Sequence, residues 1–159
     1  MKVGVVMGSK SDLPVVEKGI KILKDFGVEP VVRILSAHRT PVQAEEFSRN
    51  AEENGIEVII AAAGKAAHLG GVLAAGTSVP VIGIPMQTSD MGGLDSLLST
   101  VQMPTGVPVA TVAIGGAQNA ALLAIQMLSI KYPELREKFK AYKKEQEELI
   151  LALDSGLEY

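Results

Sequence analysis

The strongest constraint in this chain is an alternation. Five short runs rich in Val, Ile and Ala, at Lys2–Met7, Val31–Leu35, Glu57–Ala62, Val79–Pro85 and Val107–Ile114, are each followed by a segment with helical spacing of apolar residues. Repeated strand-then-helix order leaves few topologies, because each crossover returns to a parallel neighbour with one hand and helices cover both faces of one sheet. The runs are close to continuously apolar, as strands buried on both faces are. The expected fold is a flavodoxin-like α/β three-layer sandwich, with five parallel strands in the order 2-1-3-4-5.

The helical segments run from Leu13 to Phe26, with Leu13, Val16, Ile20 and Leu23 at helical spacing and Gly27 as the stop. They continue from Pro41 to about Asn54, through a short Ala-rich stretch near Gly71, from Leu94 to Val101, and from Ala117 to Ile130. The segment 117–130 is apolar almost all round, which predicts cover on both its sides. A charged amphipathic helix, Pro133 to about Leu153, carries Leu135, Phe139, Tyr142, Leu149 and Ile150 on or near one face. It follows a complete strand–helix set, so it is expected to pack across the domain or onto a neighbouring subunit. With no internal repeat or linker, residues 1–159 read as a single domain.

Composition narrows the function classes. Hydrophobic residues make up 47% of the chain but aromatics only 4%, and mean hydropathy is +0.26. That much aliphatic content on a short chain predicts apolar surface buried between subunits, a homo-oligomer. No apolar run approaches a membrane span, so no membrane partner is expected. The N-terminus holds one lysine before the first strand, and no signal peptide is expected. Cysteine is absent, which excludes disulfides and thiolate metal sites and fits a cytoplasmic protein. A net charge of −3 offers no basic footprint for nucleic acid.

Chemistry in such folds gathers at strand-to-helix turns, where backbone N–H groups at helix starts favour anions. The turn Ser36-Ala37-His38-Arg39-Thr40-Pro41 sets one of the chain's two histidines beside an arginine. An imidazole that titrates near neutrality next to a permanent guanidinium suits proton transfer beside a bound anion. Cations at the positive end of a helix are mildly unfavourable, and a bound anion supplies a reason for them; the plainer reading is a surface pair. Gly8-Ser9-Lys10-Ser11-Asp12 is neither a P-loop nor a GxGxxG turn. It reads equally as a tight turn with Asp12 capping the helix or as a turn that binds phosphate or sugar. In the glycine-bearing loop after the third strand, His68 is either a packed neutral histidine or a pocket residue, and Lys65 is a solvated loop lysine, the favoured reading, or a second cation for an anionic ligand. Two histidines without a carboxylate cluster make a poor metal site. There is no Gly-x-Ser-x-Gly elbow and no cysteine nucleophile, so hydrolase chemistry is disfavoured.

Four motifs in order resemble the bacterial PurE family: Met-Gly-Ser-Lys-Ser-Asp (7–12), Ser-Ala-His-Arg-Thr-Pro (36–41), Ala-Ala-His-Leu (66–69), and Asp-Ser-Leu (95–97) with Val-Gln-Met-Pro (101–104). The resemblance extends to Asn-Ala-Ala-Leu-Leu-Ala (119–124) and so runs essentially end to end. Members of that family are 5-(carboxyamino)imidazole ribonucleotide mutases of purine biosynthesis. The resemblance implies a flavodoxin-like fold assembled as a homo-octamer and no metal, ATP or organic cofactor. It implies an isomerase that moves a carboxylate from an exocyclic nitrogen to a ring carbon of an aminoimidazole ribonucleotide. By position it implies that Ser9 and Asp12 hold the ribonucleotide, that Arg39 binds its phosphate with Ser11 and Ser36 nearby, and that His38 is the general acid/base. The loop from Gly64 to Gly71, through Ala66 and His68, would close over the imidazole and carboxylate.

The family's loop usually reads Gly-Gly-Ala-Ala-His-Leu-Pro-Gly; here Lys65 stands for the second glycine and Gly70 for the proline. A related class carboxylates aminoimidazole ribonucleotide directly with carbon dioxide, has a lysine in place of Arg39 and lacks the Ala-Ala-His motif. Direct carboxylation is therefore the alternative enzyme reading. A nucleotide-binding module without catalysis is the alternative outside the enzymes.

Overall fold

A strand's side chains alternate between the two faces of its sheet, and this period sorts even a continuous apolar run. Along β1 (Lys2–Met7), Val3, Val5 and Met7 belong to one buried cluster while Val6 belongs to another on the opposite face. β3 (Ile56–Ala63) and β4 (Val81–Pro85) divide in the same way: Val58, Ile60, Ala62, Ile82 and Ile84 join the first cluster, and Ile59, Ala61 and Val81 join the second. The computed structural model, which describes residues 1–157, thus has two cores with the sheet between them. Strand order is β2-β1-β3-β4-β5 with every pairing parallel, as expected. In register, Val5 lies between Val32 of β2 (Glu29–Ile34) and Ile60 of β3.

Helices α1 (Leu13–Asp25) and α5 (Ala117–Leu128) cover the first face. They meet so closely that a Cβ at Gly19 would collide with the Ala117 carbonyl. α2 (Pro41–Arg49), α3 (Leu69–Ala75) and α4 (Leu94–Val101) cover the other face, with α4 over β4 and β5. α4 likewise lies directly on β4, with Thr100 filling the space a side chain at Gly83 would need. α5 is covered by its own chain: α1 flanks it, β3 and β4 lie beneath it and α6 (Pro133–Ser155) crosses it. Its all-round apolarity is thereby met without a second subunit. On α6, Leu135 enters the first core, Tyr142 packs edge-on against Phe26, and Phe139 lies tilted against it. The helix therefore packs across the domain in its first half, while Leu149, Ile150, Leu151 and Leu153 stay exposed.

Two boundaries differ from expectation by more than two residues, and one helix cap differs as well. β5 is only Ala110–Thr111, not Val107–Ile114. Pro108 has no N–H for the ladder, and this edge strand has one neighbour to hold it. Regular helix in α2 stops at Arg49 rather than near Asn54 and continues as turns, so that Ala51 is buried and its carbonyl accepts the Ile56 N–H that starts β3. Asp12 occupies the N-cap position of α1, but its side chain makes no capping hydrogen bond. Ser9 does the capping instead, with its Oγ accepting from the Ser11 N–H at the start of the single 3-10 turn Lys10–Asp12.

Candidate active site

Parallel strands deliver their outgoing turns to the same edge of the sheet. The turns after β1, β2, β3 and β4 enclose one cleft of about 690 Å³ lined by Ser9, Ser11, Asp12, Ser36, His38, Arg39, Gly64 and Ala66, among others. Every site residue expected from the sequence lines it except His68, which reaches it through His38.

Short polar bonds shape the β2–α2 turn. Ser36 Oγ accepts from the backbone N–H groups of His38 (3.3 Å) and Arg39 (3.2 Å). Thr40, at the N-cap position, turns its hydroxyl back to donate to the Ser36 carbonyl (3.1 Å) and to accept from the Ser36 N–H (2.8 Å). Small hydroxyl residues brace turns by such local bonds. The result is a rigid mount that presents His38 and Arg39 side by side.

From it the Arg39 guanidinium donates to the Gly8 carbonyl at 2.8 Å, so the first two turns are tied together. Ser11 donates to Ser9 Oγ at 2.8 Å. Asp12, free of any capping role, is half-buried: burial pushes its carboxyl above the ordinary carboxylate value, while the Ser9 backbone and the Ser11 hydroxyl pull it down. An acceptor-only side chain beside two hydroxyls and a guanidinium suits a ligand that carries both hydroxyls and an anion.

His38 Nε2 lies 2.9 Å from His68 Nδ1, with the rings nearly perpendicular. A bond between two ring nitrogens needs one donor and one acceptor, so at least one imidazole is neutral when it forms. His68 is therefore neither a core histidine nor a wall of the cleft, but the hydrogen-bond partner of the residue at its centre. Lys65 is exposed, as a solvated loop lysine would be, yet it lines the cleft and pairs with Asp90 at 2.7 Å. That bond holds the ammonium's pKa up and the carboxyl's down.

Sequence reasoning missed the fourth wall, made by Met86, Gln87, Thr88 and Ser89 after β4. This loop is held from behind by α4. Thr88 Oγ1 donates to the Asp95 carboxylate (2.9 Å), and Ser96 Oγ donates to the Met86 carbonyl (2.6 Å) and the Gly93 carbonyl (2.9 Å). The Asp-Ser-Leu motif was a signal for it, although its spacing says nothing about what the side chains grip.

Comparison with known proteins gives concordant matches. A family model described as AIR carboxylase matches residues 2–149. The N5-carboxyaminoimidazole ribonucleotide mutase of Pyrococcus abyssi is 61% identical over 144 residues, which is 91% of this chain and 83% of that protein. The mutase of the same description from Thermotoga maritima is 55% identical over 157 residues, 99% of this chain and 92% of the relative. Among solved structures, Treponema denticola PurE superposes with a TM-score of 0.90 at 30% identity, covering 99% of both chains.

Proposed function

The chain belongs to the AIR carboxylase family, and on that premise we propose that it catalyses the mutase reaction named for its relatives, from N5-carboxyaminoimidazole ribonucleotide to 4-carboxy-5-aminoimidazole ribonucleotide. The observation that carries the reading is His38, hydrogen-bonded to His68 at 2.9 Å and set beside Arg39 in the cleft. Arg39 takes the ribonucleotide phosphate, with Ser11 and Ser36 alongside. Ser9 and Asp12 take the sugar hydroxyls. Gly64 and Ala66, whose backbone is open to close approach, lie against the planar base.

The chemistry needs one proton moved twice. The bond between the exocyclic nitrogen and its carboxylate breaks, carbon dioxide departs, and protonated His38 gives its proton to that nitrogen. The ring carbon then forms a bond to the carbon dioxide, and His38 takes the proton this carbon releases. The imidazole ends as it began, so one titrating group serves both halves. His68 orients it, and a closed, dry cleft keeps the carbon dioxide in place between the steps. The reading places the enzyme in the cytoplasm as a homo-octamer. It is supported by the exposed apolar residues Leu94, Leu98 and Val101 on α4 and Leu149 to Leu153 on α6.

The test is direct. The protein is mixed with N5-carboxyaminoimidazole ribonucleotide and the ring-carboxylated product is followed against the uncatalysed conversion. Product formed no faster than without protein sinks the reading. Faster formation from aminoimidazole ribonucleotide and dissolved carbon dioxide than from the carboxyamino substrate replaces it with direct carboxylation.

A further inference from the structure

Lys65 is the only non-glycine residue at positive φ (57°) among the described residues. Left-handed backbone strains any residue with a Cβ, whereas glycine adopts it freely. The Lys65 side chain reaches to Asp90, Nζ to Oδ2 at 2.7 Å, with the two side chains 69% and 54% exposed. Exposed ion pairs return little stability, so the pair does not explain the strain by stabilising the fold. Strain that persists beside a cleft points instead to work done there.

The position of the pair says what that work is. Lys65 stands on the β3–α3 loop, directly before Ala66 and three residues before His68. Asp90 stands on the β4–α4 loop, which Thr88–Asp95 and Ser96–Met86 independently fix to α4. One loop is thus anchored and the other is fastened to it. Gly64 makes the approach possible, since a Cβ there would press on the Thr88 methyl at 3.3 Å.

We propose that Lys65 is a positioning residue whose ion pair with Asp90 clasps the His68-bearing loop across the cleft before substrate arrives. The proposal rests on the mutase reading for its kinetic consequence. A clasped loop is ordered in advance; an unclasped one must be ordered by the substrate, which weakens binding more than it slows the bound reaction.

The experiment compares Lys65→Gln, Asp90→Asn, Lys65→Arg and the exchanged pair Lys65→Asp with Asp90→Lys. The two neutral variants are expected to raise KM for N5-carboxyaminoimidazole ribonucleotide about three- to tenfold with kcat within about twofold. Lys65→Arg and the exchanged pair should stay near the original KM, and molar salt, which screens the Arg39–phosphate attraction in every variant, should raise KM by a larger factor in the original protein than in the neutral variants. Hydrogen exchange of the ligand-free protein supplies a readout without turnover: amides of residues 64–68 should exchange faster in both neutral variants and return to the original rate in the exchanged pair. An unchanged KM in Asp90→Asn beside a raised one in Lys65→Gln overturns the clasp and gives Lys65 to the substrate directly. If the original protein turns nothing over, the mutase reading fails. Exchange still decides the clasp in that case, because equal rates in the original protein and Asp90→Asn overturn it.

Discussion

The bond between His38 and His68 imposes a condition on any proton transfer in the cleft, because a pair of doubly protonated rings has no acceptor to share. Replacing His38 with Asn keeps a polar group of similar size but removes the proton carrier. The expected result is a fall in kcat of about 10²- to 10⁴-fold, with ribonucleotide affinity by calorimetry little changed. Retained turnover would take His38 out of its role. Asp12 gives a pH signature. Its carboxyl titrates above the ordinary value because burial disfavours the charge. Below the ordinary carboxylate value the group is protonated in folded and unfolded chains alike. As pH rises through the raised folded value the folded chain must ionise a half-buried group, so the stability this group contributes at low pH is lost. Asp12→Asn should therefore raise the thermal midpoint at neutral pH. The same change should weaken ribonucleotide binding roughly tenfold to a hundredfold, the worth of a hydrogen bond to a charged acceptor. A neutral-pH melt and a binding titration, with Asp12→Asn beside the original protein, check both signs.

Among the elements, α4 bears on the cleft without entering it. Ser96 is buried and its hydroxyl donates to two carbonyls of the β4–α4 loop. The single hydroxyl proton is shared between them and Gly93 also accepts the Leu97 N–H, so removing the hydroxyl takes the partner from the Met86 carbonyl above all, at a cost of about 1–3 kcal/mol. Ser96→Ala should lower the denaturation midpoint and raise KM, because the fourth wall loses its rear support, while kcat changes less. A lowered midpoint with an unaltered KM would separate the fold from the site. The short β5 shows the same economy of support: with Pro108 silent in the ladder, only Ile82–Ala110 and Gly83–Thr111 pair, and the segment after it is held by single bonds such as Val112 N–H to the Gly83 carbonyl.

At the scale of the whole molecule, the middle of the first face of the sheet is closed by the chain itself, while Val32 and Ile34 at its β2 edge are exposed and further apolar residues are exposed on α4 and α6. Leu94, Leu98 and Val101 are each close to half exposed on α4, and Ile150 and Leu153 are 62% exposed on α6. Leu94, Leu98 and Val101 follow helical spacing and so share one face of α4, and an exposed apolar face of this kind marks an interaction site more often than idle surface. The protein should sediment as a discrete oligomer, and Leu98→Glu should shift it to smaller species by placing a charge in a contact that excludes water. A monomer in both cases would count against the oligomer.

The alternation of apolar runs with helical segments determined by itself the layers, the parallel sheet and the edge where the turns gather, because strand and helix periods are written within a few consecutive residues. The order 2-1-3-4-5 was the expected choice among doubly wound orders, and the structure has it. Because the residues concerned are near neighbours, the Ser36–Pro41 turn could also be picked out: its histidine, arginine and bracing hydroxyls are adjacent in the chain. Only the tertiary structure decided that His68 meets His38 across 30 residues of sequence. It likewise decided that Asp12 is released from capping by Ser9, that Lys65 answers to Asp90, and that α5 is covered from within. Those partnerships depend on register between parallel strands and on the path of each loop. Both are set by packing among residues far apart in the chain, and no local period encodes them.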